Sequence, residues 1–139
     1  KYVDHKAALE KRKAEKVTNV ADAISLSACE AAMELNAAAI IVPTKSGATA
    51  RMIAKYRPAC PIIAVTPEDK ITRRLSLSCG VYPITATAFN STDEMIEKSV
   101  AFAKEAGHVK DGDTVVVAAG LPIHESGTTN MIKVHVVGK

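Results

Sequence analysis

Along this chain, short solid apolar runs take turns with longer segments in which apolar residues recur every three or four places. The runs at 38–43, 61–65 and 114–119 carry almost no polar side chain. Strands of that kind are covered on both faces, as in the interior of a parallel sheet. Residues 81–85 form a further strand, and Pro83 within it demotes it to a sheet edge. Near the end, Ile132, Val134 and Val136 alternate with Lys133, His135 and Val137, the pattern of a half-exposed edge strand.

Between the runs the period is helical. Val20, Ala23, Ile24, Ala28, Ala31 and Leu35 predict an amphipathic helix over 20–35, opened by Asn19 and Asp22 in a capping-box-like start. A second helix is expected over 49–56, closed by Arg57-Pro58. A third starts at Thr66-Pro67-Glu68-Asp69, with a hydroxyl cap and proline at the first helical position, and stops near Gly80. Ser91 and Glu94 cap a long helix that ends at Gly107. Residues 1–17 are charged and Ala-rich, a helix with few apolar anchors.

Strands alternating with helices predict a three-layer α/β/α domain around a mostly parallel five-stranded sheet. The simplest order is 3-2-1-4-5, with the last strand an antiparallel edge. That order sets the first and fourth strands side by side where the winding reverses. Ligands of such sheets bind outside the carboxyl ends of the strands at that point. Two polar loops converge there, 44–49 after the first strand and 120–130 after the fourth.

Composition narrows the class. With 139 residues and 47% apolar content, the chain suits one domain, 1–139, with a core built from Ala, Val, Ile and Leu, since tryptophan is absent. The net charge of +3 is scattered. The one dense basic group, Lys6, Lys11, Arg12, Lys13 and Lys16, is interleaved with Glu10 and Glu15 and reads as a solvated face rather than a nucleic-acid arm. No apolar run approaches the roughly 20 residues of a membrane span, and no secretory signal is visible. Cys29, Cys60 and Cys79 lack metal-ligand spacing and read as buried thiols of a cytoplasmic protein. Because the first residue is Lys1 and the end follows directly on strand-like sequence, the chain is expected to be a piece of a longer polypeptide.

Candidate chemistry sits in the two loops. Thr44, Lys45, Ser46, Gly47, Ala48 and Thr49 put three hydroxyls, an ammonium and a glycine where a strand turns into a helix. Backbone N–H groups and the positive end of the helix dipole would join them in a phosphate cradle. The plainer role for Ser46 or Thr49 is to cap the helix. Neither the Walker A loop nor the G-x-G-x-x-G fingerprint is present. In the second loop Ser126, Gly127 and Thr128 again mix glycine with hydroxyls, while Glu125 disfavours a second phosphate. His124 has no recognisable nucleophile or orienting carboxylate beside it, and His5, His108 and His135 read as surface positions. No catalytic residue and no metal-ligand cluster is expected: the chain binds something rather than transforms it.

The stretch from Thr44 through Pro58, then Pro61 to Thr66, Arg73-Arg74-Leu75, Gly80-Val81-Tyr82-Pro83 and Ser126-Gly127-Thr128-Thr129-Asn130 closely resembles the C-terminal domain of pyruvate kinases, bacterial ones above all. The likeness covers essentially the whole chain. It implies a five-stranded α/β unit that regulates catalysis done elsewhere. In the family, phosphoenolpyruvate gives its phosphoryl group to ADP on a separate barrel with a lid domain, using Mg²⁺ and usually K⁺. No cofactor is expected in this domain itself. The loop matching 44–49 would hold an effector phosphate, the loop matching 120–130 would close over it, and such domains meet in a homotetramer. Members activated by fructose 1,6-bisphosphate carry a Trp and an Arg before the fourth strand. This chain has no Trp, and 88–106 holds no Arg. A monophosphate such as AMP or ribose 5-phosphate is therefore favoured over the bisphosphate. The alternative is a stand-alone phosphate-ligand-binding protein on the same fold.

Overall fold

The computed structural model describes residues 20–76, 80–86, 89–120 and 129–139. The expected helix over 1–17, the Asn19 cap, Cys79 and the loop residues His124, Glu125, Ser126, Gly127 and Thr128 lie outside them.

In chain order the elements are α1 (Val20–Glu34), β1 (Ala39–Pro43), α2 (Ala48–Ala54), β2 (Ile62–Thr66), α3 (Asp69–Leu75), β3 (Val81–Thr85), α4 (Thr92–Glu105), β4 (Thr114–Gly120) and β5 (Thr129–Val136). The five strands form one sheet in the order β3-β2-β1-β4-β5. Every pairing is parallel except β4 with β5. The expected architecture and strand order are both observed.

The solid apolar runs owe their composition to this arrangement. Each residue of β1 and β2 is buried. Alternate side chains feed two cores. Ile40, Val42, Ile62, Ala64, Val116 and Ala118 meet Ala28, Cys29 and Ala32 of α1, Ala50 and Ile53 of α2, and Ile71 and Leu75 of α3. Ala39, Ile41, Ile63, Val65, Val115, Val117 and Ala119 meet Met95, Ile96, Val100 and Ala103 of α4. Among the described residues, three helices thus cover one face and one covers the other.

Local departures have local causes. The helix expected from Thr66 begins instead at Asp69, after an N-cap Glu68 that makes no side-chain cap bond. Thr66 is held in the ladder opposite Thr85, and its carbonyl accepts from Ala86 N–H at 2.9 Å. Its hydroxyl reaches only Glu68 N–H, at 3.4 Å. The same helix ends at Leu75, short of Gly80. Helix α2 also stops early, at Ala54, because Arg57 turns left-handed (φ 49°) ahead of Pro58. The Ser91 cap is as expected: its Oγ accepts from Glu94 N–H at 3.1 Å, and Glu94 Oε2 accepts from Asn90 N–H at 3.0 Å.

Strand β5 lacks the simple inward and outward faces that alternation predicts. Val134 is 47% exposed, whereas Ile132 packs on one core and Met131 and Val137 on the other. Both faces of the strand are partly covered, so alternation alone misassigns them. Cys60, His108 and His135 also differ from expectation. Each is half-buried, and the His108 and Tyr82 ring centres lie 5.3 Å apart.

Candidate functional site at the carboxyl ends of β1 and β4

Strands β1 and β4 pair directly, Ala39 with Val115 through Ile41 with Val117. From that seam the chain winds outward in both directions, so the crevice beyond their carboxyl ends is the switch point of the sheet. The loop leaving β1 is anchored at its first residue, where Thr44 N–H donates to Val65 O at 2.9 Å.

Within the loop, hydroxyls take up the backbone donors. Thr44 Oγ1 accepts from Gly47 N–H at 3.0 Å, and Ser46 Oγ accepts from Ala48 N–H at 3.3 Å. A hydroxyl that accepts still has its own proton to give. The loop therefore presents O–H donors from Thr44 and Ser46, both half-buried, beside the exposed Lys45. Of the backbone N–H groups expected to serve a ligand, those of Gly47 and Ala48 are already used. The capping role weighed for Ser46 is thus partly real. The N-cap itself is Gly47, which has no side chain to donate or accept.

Gly47 is required by the backbone and by its neighbours. Its φ of 83° is left-handed, and a Cβ there would fall 2.9 Å from Arg51 Nη1 and 3.2 Å from both Ile71 Cγ2 and Leu75 Cδ2. Arg51 folds over this glycine and donates to Ser46 O at 3.4 Å, while its N–H closes the first helical bond to Gly47 O at 3.0 Å.

Thr49 sits deeper. It is buried, and its hydroxyl lies 2.5 Å from the hydroxyl of buried Thr129, eighty positions along the chain. Thr129, expected in the loop 120–130, is instead the first residue of β5, as Gly120 is the last of β4. The structure thus brings the two sheet-end segments together, although Ser126, Gly127 and Thr128 themselves lie outside the described residues.

Sequence reasoning missed Arg51 and Thr129. The first carried a faint signal, four residues from Gly47 and hence on the same side of a helix. The second stood within the hydroxyl-rich stretch 126–130 of the expected second loop, but nothing local marked it as the partner of Thr49.

The perturbed titrations lie away from the loop. Burial above all, then Cys60 and Glu30, pushes the Cys29 thiol up to about 12. Burial also raises Cys60, and a hydrogen bond from Lys98, aided by Asn90 N–H, lowers Glu94. No group of three His, Cys, Asp or Glu side chains among the described residues is placed to hold a metal. Nor is any described helix long and apolar enough to cross a membrane. Hydroxyl protons and an ammonium at a strand end are equipped to bind an anion.

Comparison with known proteins gives this geometry a family. The model of the "Pyruvate kinase, alpha/beta domain" family matches residues 22–135. The chain belongs to that family. It is 55% identical over 129 residues to a pyruvate kinase of Clostridium acetobutylicum, covering 93% of this chain and 27% of that protein. The pyruvate kinases of Geobacillus stearothermophilus and Sporosarcina psychrophila are 47% and 44% identical over 97% and 98% of the chain, each covered to 23%. The chain thus spans about a quarter of the length of these relatives. The α/β fold, strand order and bacterial likeness expected from sequence all agree with this membership.

Proposed function

We propose that this chain is the effector-binding and assembly domain of a cytoplasmic pyruvate kinase, in which phosphoenolpyruvate phosphorylates ADP on separate catalytic domains. Mg²⁺ and K⁺ belong to those domains, and the domain described here performs no chemistry. The observation that carries the reading is the loop at the switch point: Thr44 and Ser46 hydroxyls, the Lys45 ammonium and a left-handed Gly47 between β1 and α2. Residues Thr44 to Thr49 hold a phosphate, and Ser126, Gly127 and Thr128 close over the ligand.

A monophosphate, AMP or ribose 5-phosphate, suits the site better than fructose 1,6-bisphosphate. The chain has no Trp and no Arg in 88–106 to meet a second phosphate, and Glu125 would repel one. Effector binding shifts a conformational equilibrium only through unequal affinity for two states. Assembly into a homo-oligomer, a tetramer in the parent enzyme, is supported by β5. It is an edge strand of 8 residues with Val134 47% exposed.

Calorimetric titration with the three ligands tests the site. Ser46→Ala should weaken binding by about 1.5–3 kcal/mol, the cost of a charge-assisted hydrogen bond. Equal affinity in wild type and variant refutes the cradle.

A further inference from the structure

The pairing of β4 with β5 breaks step at one place. Ala119 lies opposite Met131, but Gly120 lies opposite Thr129, so Asn130 is an extra residue on β5. Side chains alternate along a strand, and one inserted residue reverses the face of everything beyond it. Ile132 packs with the core under α1, α2 and α3, and Met131 with the core under α4. Regular alternation would turn Thr129 to the α4 side with Met131. The bulge turns it to the α2 side, where its hydroxyl meets Thr49.

We propose that Thr129 is a positioning residue of the phosphate cradle, acting through Thr49 as the second member of a hydroxyl relay. This rests on the effector-site reading above. Each hydroxyl has one proton and two lone pairs. With no anion present, either member can donate to the other. When a phosphate takes the Thr49 proton, Thr49 can still accept, and Thr129 must become the donor. The chain then runs Thr129 to Thr49 to anion, all dipoles aligned, and each bond polarises the next. Occupancy of the cradle fixes the start of β5, and loss of the Thr129 hydroxyl weakens an anion that it never touches.

The test uses Thr129→Val, which keeps the shape and removes the hydroxyl, and Thr129→Ser, which keeps the hydroxyl. Binding of AMP and of inorganic phosphate is measured by calorimetry, with thermal unfolding and amide exchange of Asn130 and Met131 followed alongside. The relay predicts that T129V weakens binding about 3- to 10-fold, the span of one neutral hydrogen bond, and that T129S restores it. Adding T129V to Thr49→Val should then weaken binding no further. Ligand should slow exchange at Asn130 and Met131 in wild type and T129S but not in T129V. Wild-type affinity in T129V overturns the relay and leaves the cradle standing. Weakening in T129S equal to that in T129V also overturns it, because the loss then follows shape rather than the hydroxyl. Binding of neither probe by the wild-type chain overturns the cradle and the relay with it.

Discussion

The two ends of the sheet contrast sharply. At the amino ends of β1 and β2 lies a cavity of about 340 Å³, lined by Ala32, Met33, Asn36, Cys60 and Pro61 among others. At the carboxyl ends, the loop from Thr44 to Gly47 gathers hydroxyls, a lysine and a left-handed glycine. That hollow carries the poorer chemistry: apolar side chains, one amide and a thiol whose proton burial holds in place. A cavity becomes a site through convergent polar groups rather than volume. The apolar hollow offers a ligand few polar partners, whereas the polar end presents hydroxyl donors and an ammonium.

Substitution at Gly47 should have the largest effect. Gly47→Ala puts a side chain into left-handed backbone and against Arg51, Ile71 and Leu75. It should lower stability by about 1–2 kcal/mol in urea denaturation and abolish detectable phosphate binding. Binding that survives unchanged would break the assignment of function to this end.

Next come two buried hydroxyls without partners among the described residues, Ser25 of α1 and Ser99 of α4. Ser25→Ala and Ser99→Ala each remove an unsatisfied polar group and gain helix propensity, so each should raise stability by about 1 kcal/mol. A loss of phosphate binding on Ser25→Ala would show that its hydroxyl serves the site.

A smaller change is expected at the amino end. Ala32, 4% exposed, lines the cavity. Ala32→Leu should fill part of it and raise the unfolding free energy by about 0.5–1 kcal/mol with ligand affinity unaltered.

At neutral pH the smallest effect is that of Cys29, which shows only in alkaline solution. Its folded value near 12 lies above the ordinary 9.0, so the folded state retains the thiol proton that the unfolded chain releases. The stability this gives is complete below about pH 8.5 and is lost as pH rises through the folded value. The stability of wild type relative to Cys29→Ala should therefore fall with pH above that point, by at most about 1.4 kcal/mol per unit, in paired thermal melts.

What could be read from the sequence follows from the range of the interactions. β1, β2 and β4 announced themselves because burial on both faces leaves no polar position in their interiors. The Ser91 cap was legible because its partner is three residues away. The hydroxyl-rich turn from β1 into α2 was legible as a composition at a strand end, for the same local reason. Thr66 misled because a hydroxyl before Pro-Glu-Asp suits a cap, while the ladder to β3 claims that residue first. β5 misled because a bulge at Asn130 and two covering layers override alternation. That Thr129 would meet Thr49 was not legible because the two are eighty residues apart.

The central claim is that the carboxyl end of the sheet, and not the cavity at its other end, receives a phosphorylated ligand. Amide chemical-shift mapping of the 139-residue chain with AMP or ribose 5-phosphate tests it most directly. The account predicts saturable shifts at 44–50 and 129–131 and none at 32–38 or 59–61. Shifts confined to the residues around Ala32, Met33 and Cys60 would contradict it.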